Sequence, residues 1–116
     1  ARALAELSRL GLAMGAAEQT FAGLTGLGDL VTTCISPSGR NRSFGERIGR
    51  GQTRDEAQRA TDSVVEGIAT CASVACLASK HDVEMPITQA VYEVLFENKP
   101  VRAAIEDLMS RRLKSE

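Results

Sequence analysis

The segment best suited to binding an anion is residues 39–42, Gly-Arg-Asn-Arg. It follows a Ser-Pro-Ser turn, and the residues after it predict the start of a helix. Free backbone N–H groups and the positive end of the helix dipole attract a phosphate at such a position. Arg40 can add a bidentate guanidinium contact and Asn41 an amide donor. The alternative is a solvated basic helix start without a ligand, and these residues alone leave both interpretations open.

Two acidic residues lie next to apolar ones. Asp29 belongs to residues 26–31, Gly-Leu-Gly-Asp-Leu-Val. This is no dinucleotide-binding loop, because the third glycine and a preceding strand are missing. Burying a carboxylate is costly unless a cation or several donors meet it, so Asp29 is either a turn residue or a carboxylate that orients a lysine or a substrate hydroxyl. Glu66, in Val64-Val65-Glu66-Gly67, by itself indicates the first turn of a helix.

The remaining reactive residue types predict neither a metal site nor a catalytic triad. Cys34, Cys71 and Cys76 have no CxxC spacing, and His81 is the single histidine. The three cysteines are therefore expected to be reduced, buried thiols. His81 is expected at the end of a helix.

Helical spacing positions these residues along nearly the whole chain. A first helix is predicted from four apolar residues close to one face, Leu4, Leu7, Leu10 and Met14. Gly15 should end it. Residues 21–31 predict one or two short helices, and Arg40 should start another that runs to Gly49 or Gly51.

The second half of the chain carries clearer helix signals. Thr53 and Glu56 have the spacing of a capping box, with a short helix to about Ala60. Residues 64–80 form the longest helical pattern. Pro86 and Pro100 are each expected as the first residue of a helix. With no convincing strand pattern, the sequence predicts one all-α domain of six or seven helices over residues 1–116.

Composition excludes several classes of function. A net charge of −1 gives no electrostatic case for nucleic acid or an acidic membrane surface. No apolar run approaches the roughly 18 residues of a membrane span, so a cytoplasmic protein is expected. The first helix begins without a capping residue, which leads us to expect that the natural chain continues upstream of Ala1.

Four segments, in order, resemble signatures of bacterial NAD(P)-dependent glycerol-3-phosphate dehydrogenases. The segments are residues 21–34, Phe-Ala-Gly-Leu-Thr-Gly-Leu-Gly-Asp-Leu-Val-Thr-Thr-Cys; residues 39–42; residues 64–67; and residues 83–88, Val-Glu-Met-Pro-Ile-Thr. The likeness extends over the entire chain. It implies the C-terminal substrate-binding domain, an all-α unit of the 6-phosphogluconate dehydrogenase C-terminal-like kind, without its N-terminal Rossmann partner.

The resemblance also implies a reaction, which is the interconversion of dihydroxyacetone phosphate and sn-glycerol 3-phosphate with NAD(P)H, for phospholipid synthesis. Asp29 matches the family's active-site aspartate and also contacts the substrate. Arg40 and Asn41 match ligands of the substrate phosphate, and Gly39 could add its backbone N–H. The cofactor is contacted by the residues that match Arg40, Val64 and Glu66.

Two departures from the family pattern affect these expectations. Many bacterial members have serine where this chain has Gly39, so one side-chain donor is missing. The family's proton-transferring lysine and glycine-rich loop correspond to positions upstream of Ala1, and NAD(P) is bound mainly there. The 116-residue chain alone is therefore expected to be inactive. Family members are commonly dimers, so a homodimer is one assembly that the resemblance allows.

Two alternatives remain open at this point. The chain could be the helical domain of a related hydroxy-acid dehydrogenase, because the Arg40-Asn41 pair could also hold a carboxylate. It could instead be a stand-alone helical interaction module without chemistry. Comparing dihydroxyacetone phosphate with hydroxy acids as substrates distinguishes a glycerol-3-phosphate dehydrogenase from a hydroxy-acid dehydrogenase. The length of the open reading frame decides whether the chain is a stand-alone module, because that interpretation expects the gene to begin near Ala1.

Overall fold

The computed structural model describes residues 2–16, 39–61 and 65–111. These ranges contain helices and turns and no strand, which confirms the all-α prediction. The six helices are α1 (Arg2–Ala13), α2 (Arg40–Gly49), α3 (Arg54–Arg59), α4 (Glu66–Lys80), α5 (Pro86–Phe96) and α6 (Val101–Ser110). The short helices predicted over residues 21–31 lie outside the described residues.

The local signals in the sequence place most helix ends correctly. Gly15, after α1, has a φ of +96°, a conformation that favours glycine. Before α3, the Thr53 hydroxyl accepts from the N–H of Glu56 at 3.2 Å, and the Glu56 carboxylate accepts from the N–H of Thr53 at 3.4 Å. Pro86 is the first residue of α5, as predicted. His81 is the C-terminal cap of α4, also as predicted.

The prediction for Pro100 is wrong by one residue. Pro100 is the N-cap of α6, with a ψ of 135°, and the helix begins at Val101. The carbonyl of Pro100 accepts the first bond of the helix, from the N–H of Ala104 at 3.1 Å. A proline lacks the N–H that is unpaired at either position, so its presence does not distinguish the N-cap from the first helical residue.

Helix α5 lies at the centre of the described part of the chain and packs against α1, α4 and α6. A first core cluster joins α2, α3, α4 and α5 through Phe44, Ala57, Val65, Cys71 and Leu95. A second cluster joins α1 to the end of α4 through Leu10, Ala78 and Met85. The core thus brings the starts of α2 and α4 to the same side of α5.

The buried face of α1 is centred on Glu6 and Leu10, which are four residues apart. Of the apolar residues predicted on one face of this helix, Leu10 is buried, whereas Leu7 and Met14 are exposed. Glu6 is 3% exposed. Its carboxylate accepts from the N–H of Ile87, from the N–H of Thr88 at 3.1 Å and from the Thr88 hydroxyl at 3.3 Å. Glu6 therefore caps α5 from a helix about 80 residues away in the chain.

The cysteines are buried only in part, contrary to the prediction. Cys71 and Cys76 are both free thiols; Cys71 is buried and Cys76 is exposed. Five residues correspond to about 140° around a helix, so the two thiols point from different faces of α4. Burial raises the pKa of the Cys71 thiol, whose sulfur lies 3.8 Å from the carbonyl oxygen of Thr88. Cys34 lies outside the described residues.

None of the helices in the described ranges is both long enough and apolar enough to cross a membrane.

Candidate functional site

The residue that begins α2 provides no side-chain cap to the helix. Gly39 is the N-cap, with an extended backbone (φ −67°, ψ 130°). The first backbone bond of the helix runs from the N–H of Ser43 to the carbonyl of Gly39, at 3.0 Å. The N–H groups of the preceding residues have no partner within the helix, as at every helix start. They point along the axis where the helix dipole favours an anion.

The two arginines of this segment have different surroundings. Arg42 forms an ion pair with Glu46, four residues later in the same helix, at 3.3 Å. Arg40, the first residue of α2, is exposed, and its side chain has no hydrogen bond or ion pair with another residue in the described ranges. Its guanidinium group is therefore available to a ligand, whereas that of Arg42 already has a partner.

Asn41 joins the start of α2 to the start of α4. Its side-chain oxygen Oδ1 accepts from the backbone N–H of Gly67 at 3.0 Å, across 26 residues of sequence. Gly67 is the second residue of α4, whose N-cap, Val65, provides no side-chain cap. The Asn41 amide therefore serves as the cap that α4 lacks locally. Two segments recognised separately in the sequence thus meet in space through one residue of each, Asn41 of the first and Gly67 of the second.

No role for Gly67 is predicted from its residue type and position in the sequence. A Cβ atom on Gly67 would lie 2.6 Å from Oδ1 and 2.9 Å from Cγ of Asn41, closer than van der Waals contact allows. The one signal available was a glycine in the first turn of a predicted helix, where it is a poor helix former.

The other predicted site residues are only partly described. Glu66 is exposed and is the first residue of α4, adjacent to the Asn41–Gly67 hydrogen bond. Asp29 and Val64 lie outside the described residues. Among the residues that are described, no three His, Cys, Asp or Glu side chains come together as a metal site would require.

A cavity of about 390 Å³ lies beside the Asn41–Gly67 contact. Both residues line it, but most of its walls are apolar side chains, among them Phe44, Ile48, Ile68, Val94 and Ile105. An apolar cavity of this kind does not offer the donors that a phosphate needs. An anion at this end of the domain would therefore bind at the polar rim, at the start of α2.

The comparisons with known proteins agree with one another. A family model described as NAD-dependent glycerol-3-phosphate dehydrogenase C-terminus matches residues 1–106. Glycerol-3-phosphate dehydrogenase [NAD(P)+] 2 of Salinibacter ruber is 53% identical over 115 residues, which cover 99% of this chain and 33% of that protein. The protein of the same name in Mycobacterium tuberculosis strain H37Rv is 56% identical, with 99% and 34% coverage.

A solved structure shows the same fold. The crystal structure of glycerol-3-phosphate dehydrogenase from Coxiella burnetii is similar with a TM-score of 0.92 and 41% identity, covering 95% of this chain and 34% of that one. The chain thus spans about a third of the length of these relatives. Since the family model matches most of its length, the chain belongs to the NAD-dependent glycerol-3-phosphate dehydrogenase C-terminal family.

Proposed function

We propose that this chain is the substrate-binding part of an oxidoreductase that interconverts dihydroxyacetone phosphate and sn-glycerol 3-phosphate with NAD(P)H. Family membership supports the reaction. The observation that carries the phosphate site is the start of α2, where the side chain of Arg40 has no described partner and the N-cap, Gly39, has no side chain with which to cap the first N–H groups. Together these groups match the charge and the oxygen geometry of a phosphate monoester.

Each substrate-binding residue has a distinct task in this proposal. The Arg40 guanidinium binds two phosphate oxygens and neutralises their charge. The Asn41 amide donates a hydrogen bond to another oxygen, and Gly39 contributes its backbone N–H. Asp29 orients the lysine of the other domain that transfers the proton to the substrate oxygen. Binding of this kind holds the substrate carbonyl in one position, and such positioning is a large part of catalysis in general.

The cofactor would lie along the same edge of the domain. Arg40 and Glu66 are exposed residues at the adjacent starts of α2 and α4. A cation and a carboxylate suit the phosphate and the hydroxyl or amide groups of a dinucleotide, so the groups present fit NAD(P), with Val64 as a further contact. The bound cofactor supplies or accepts the hydride. An N-terminal Rossmann domain would provide most of its binding site.

The partners proposed for the domain are its own Rossmann half and a second copy in a homodimer. Exposed apolar side chains support such contacts, among them Leu12 on α1, Met14 directly after it and Met109 on α6, the last of which is 75% exposed. The enzyme would work in the cytoplasm and supply glycerol 3-phosphate to phospholipid synthesis.

The experiment for the phosphate site is Arg40→Ala in the full-length enzyme, assayed by reduction of dihydroxyacetone phosphate. Loss of a charged partner of a phosphate costs about 2–5 kcal/mol, so the KM should rise about 30-fold or more. Arg50→Ala is the matched control, because Arg50 is an exposed arginine at the other end of the same helix. A KM for Arg40→Ala within threefold of wild type, with unchanged turnover, would contradict the assignment.

A further inference from the structure

We infer that Gly67 is a positioning residue for the substrate phosphate: its N–H sets the orientation of the Asn41 amide, and its missing side chain leaves room for that amide. The inference rests on the proposed function, because it explains how the site keeps Asn41 ready to donate. Gly67 itself would not touch the substrate.

The orientation follows from hydrogen-bond chemistry. A carboxamide has an acceptor oxygen and a donor NH₂ group, and its environment decides which one faces which way. A backbone N–H can only donate, so the N–H of Gly67 requires Oδ1 of Asn41 to face it, as found at 3.0 Å. The NH₂ group must then lie on the other side of Cγ from Oδ1, and it does not take part in this hydrogen bond. Asn41 is exposed, which leaves these two N–H donors accessible to an oxyanion at the start of α2.

The space left by the missing side chain of Gly67 is occupied by the Asn41 amide. A Cβ on Gly67 would come within 2.6 Å of Oδ1 and 2.9 Å of Cγ, and within 3.3 Å of Nδ2. Every one of these atoms belongs to the movable end of the Asn41 side chain, and none is backbone. An alanine at this position would therefore push the amide aside rather than disturb the helices.

The backbone gives no independent reason for glycine at this position. Gly67 is a helical residue of α4, and alanine is favoured over glycine in helices. Gly15 and Gly51 differ, since both have a positive φ. Gly45 differs as well, because a Cβ there would meet nothing within 4 Å. At Gly67, helix stability thus favours alanine, whereas the position of the Asn41 side chain requires glycine.

The experiment compares Gly67→Ala with Gly45→Ala in the full-length enzyme at saturating NADH. Three quantities are measured: the KM and kcat for dihydroxyacetone phosphate, the Ki of inorganic phosphate as a competitive inhibitor, and the melting temperature. For Gly67→Ala we expect the KM and Ki to rise about tenfold or more, as for loss of a hydrogen bond to a charged group. We expect kcat within about threefold of wild type and a melting temperature equal to or above it. Gly45→Ala should leave KM and Ki within threefold.

A second variant tests the donor directly. Asn41→Asp keeps an oxygen that accepts from the N–H of Gly67, and it places a negative charge where the dipole of α2 favours one. It also replaces the NH₂ donor with an acceptor that repels phosphate. The protein should therefore remain folded while its Ki for inorganic phosphate rises by at least as much as in Gly67→Ala.

The outcomes separate this inference from the proposed function. KM and Ki values within threefold of wild type in Gly67→Ala would overturn the inference, as would a large drop in its melting temperature. Unchanged phosphate inhibition in Asn41→Asp would overturn it too. If the wild-type enzyme did not reduce dihydroxyacetone phosphate, the proposed function would fail.

Discussion

The helix starts of α4 and α5 are both capped by a side chain from a distant part of the chain, but the two caps differ in what they leave free. At α5, the buried Glu6 carboxylate accepts from two backbone N–H groups and a hydroxyl, and both of its oxygens are used. At α4, the exposed Asn41 accepts one hydrogen bond through its oxygen and keeps its NH₂ group. The first cap is complete, whereas the second retains donors for a ligand.

Burial explains why the two caps should matter in different ways. A buried N–H that loses its acceptor cannot turn to water and carries the full cost of its desolvation. An exposed N–H that loses its acceptor is solvated instead. We therefore expect the Glu6 cap to contribute mainly to stability and the Asn41 cap mainly to binding.

The largest effect is expected for Glu6→Ala. This change leaves the N–H groups of Ile87 and Thr88 without their acceptor in the interface of α1 and α5. At about 1–3 kcal/mol for each unsatisfied group, the free energy of unfolding should fall by about 3 kcal/mol or more, as measured by urea denaturation of the 116-residue chain. Glu6→Gln keeps one acceptor oxygen and should lose clearly less. Equal losses in the two variants would contradict a role in hydrogen bonding.

A smaller effect is expected for Thr53→Ala, which removes the local cap of α3. The Thr53 hydroxyl accepts from the N–H of Glu56 at an exposed position, so its loss should lower the free energy of unfolding by about 1 kcal/mol. The same denaturation experiment checks this, with Thr53→Ser as the control that retains the hydroxyl. A loss in the free energy of unfolding as large as that of Glu6→Ala would show that burial does not explain the different stabilities that the two caps provide.

The smallest effect is expected at Lys99, a half-buried residue between α5 and α6 that contacts both helices. Hydrogen bonds to Asp107 and then Glu93 raise the pKa of Lys99, and its Nζ lies 3.1 Å from the Glu93 carboxylate. A raised folded-state pKa means that its stabilising contribution is present at neutral pH. That contribution is lost as the pH rises through the folded-state pKa. The difference in urea midpoint between wild type and Lys99→Met should therefore be small at about pH 7 and should shrink as the pH rises above about 10.5, the ordinary pKa of lysine. A difference that grows with pH would contradict this account.

Most of the helices could be predicted because their signals are local. The capping box of Thr53 and Glu56 and the proline at position 86 act within one helical turn, so neighbouring residue types suffice. The cap of α5 could not be predicted, because Glu6 and Ile87 are 81 residues apart and nothing near Glu6 marks it as buried. The exposure of Cys76 could not be predicted from its residue type, because the face of α4 on which it lies determines its burial.

The candidate site was predicted in outline. The types and order of residues 39–42 predict an anion site at a helix start. The structure confirms the helix start, with Arg40 and Asn41 as its first two residues, and their role as phosphate ligands remains a prediction. The contact between Asn41 and Gly67 depends on how two helices meet, which the spacing of residues within either helix does not determine. The roles of Asp29 and Val64 remain predictions.

The most direct test of the account is a crystal structure of the full-length protein with dihydroxyacetone phosphate bound. We expect the phosphate at the start of α2, within hydrogen-bond distance of the Arg40 guanidinium and the Asn41 NH₂ group. The Asn41 oxygen should still accept from the N–H of Gly67. A phosphate bound away from α2, or an Asn41 amide turned so that its oxygen no longer faces Gly67, would contradict the account.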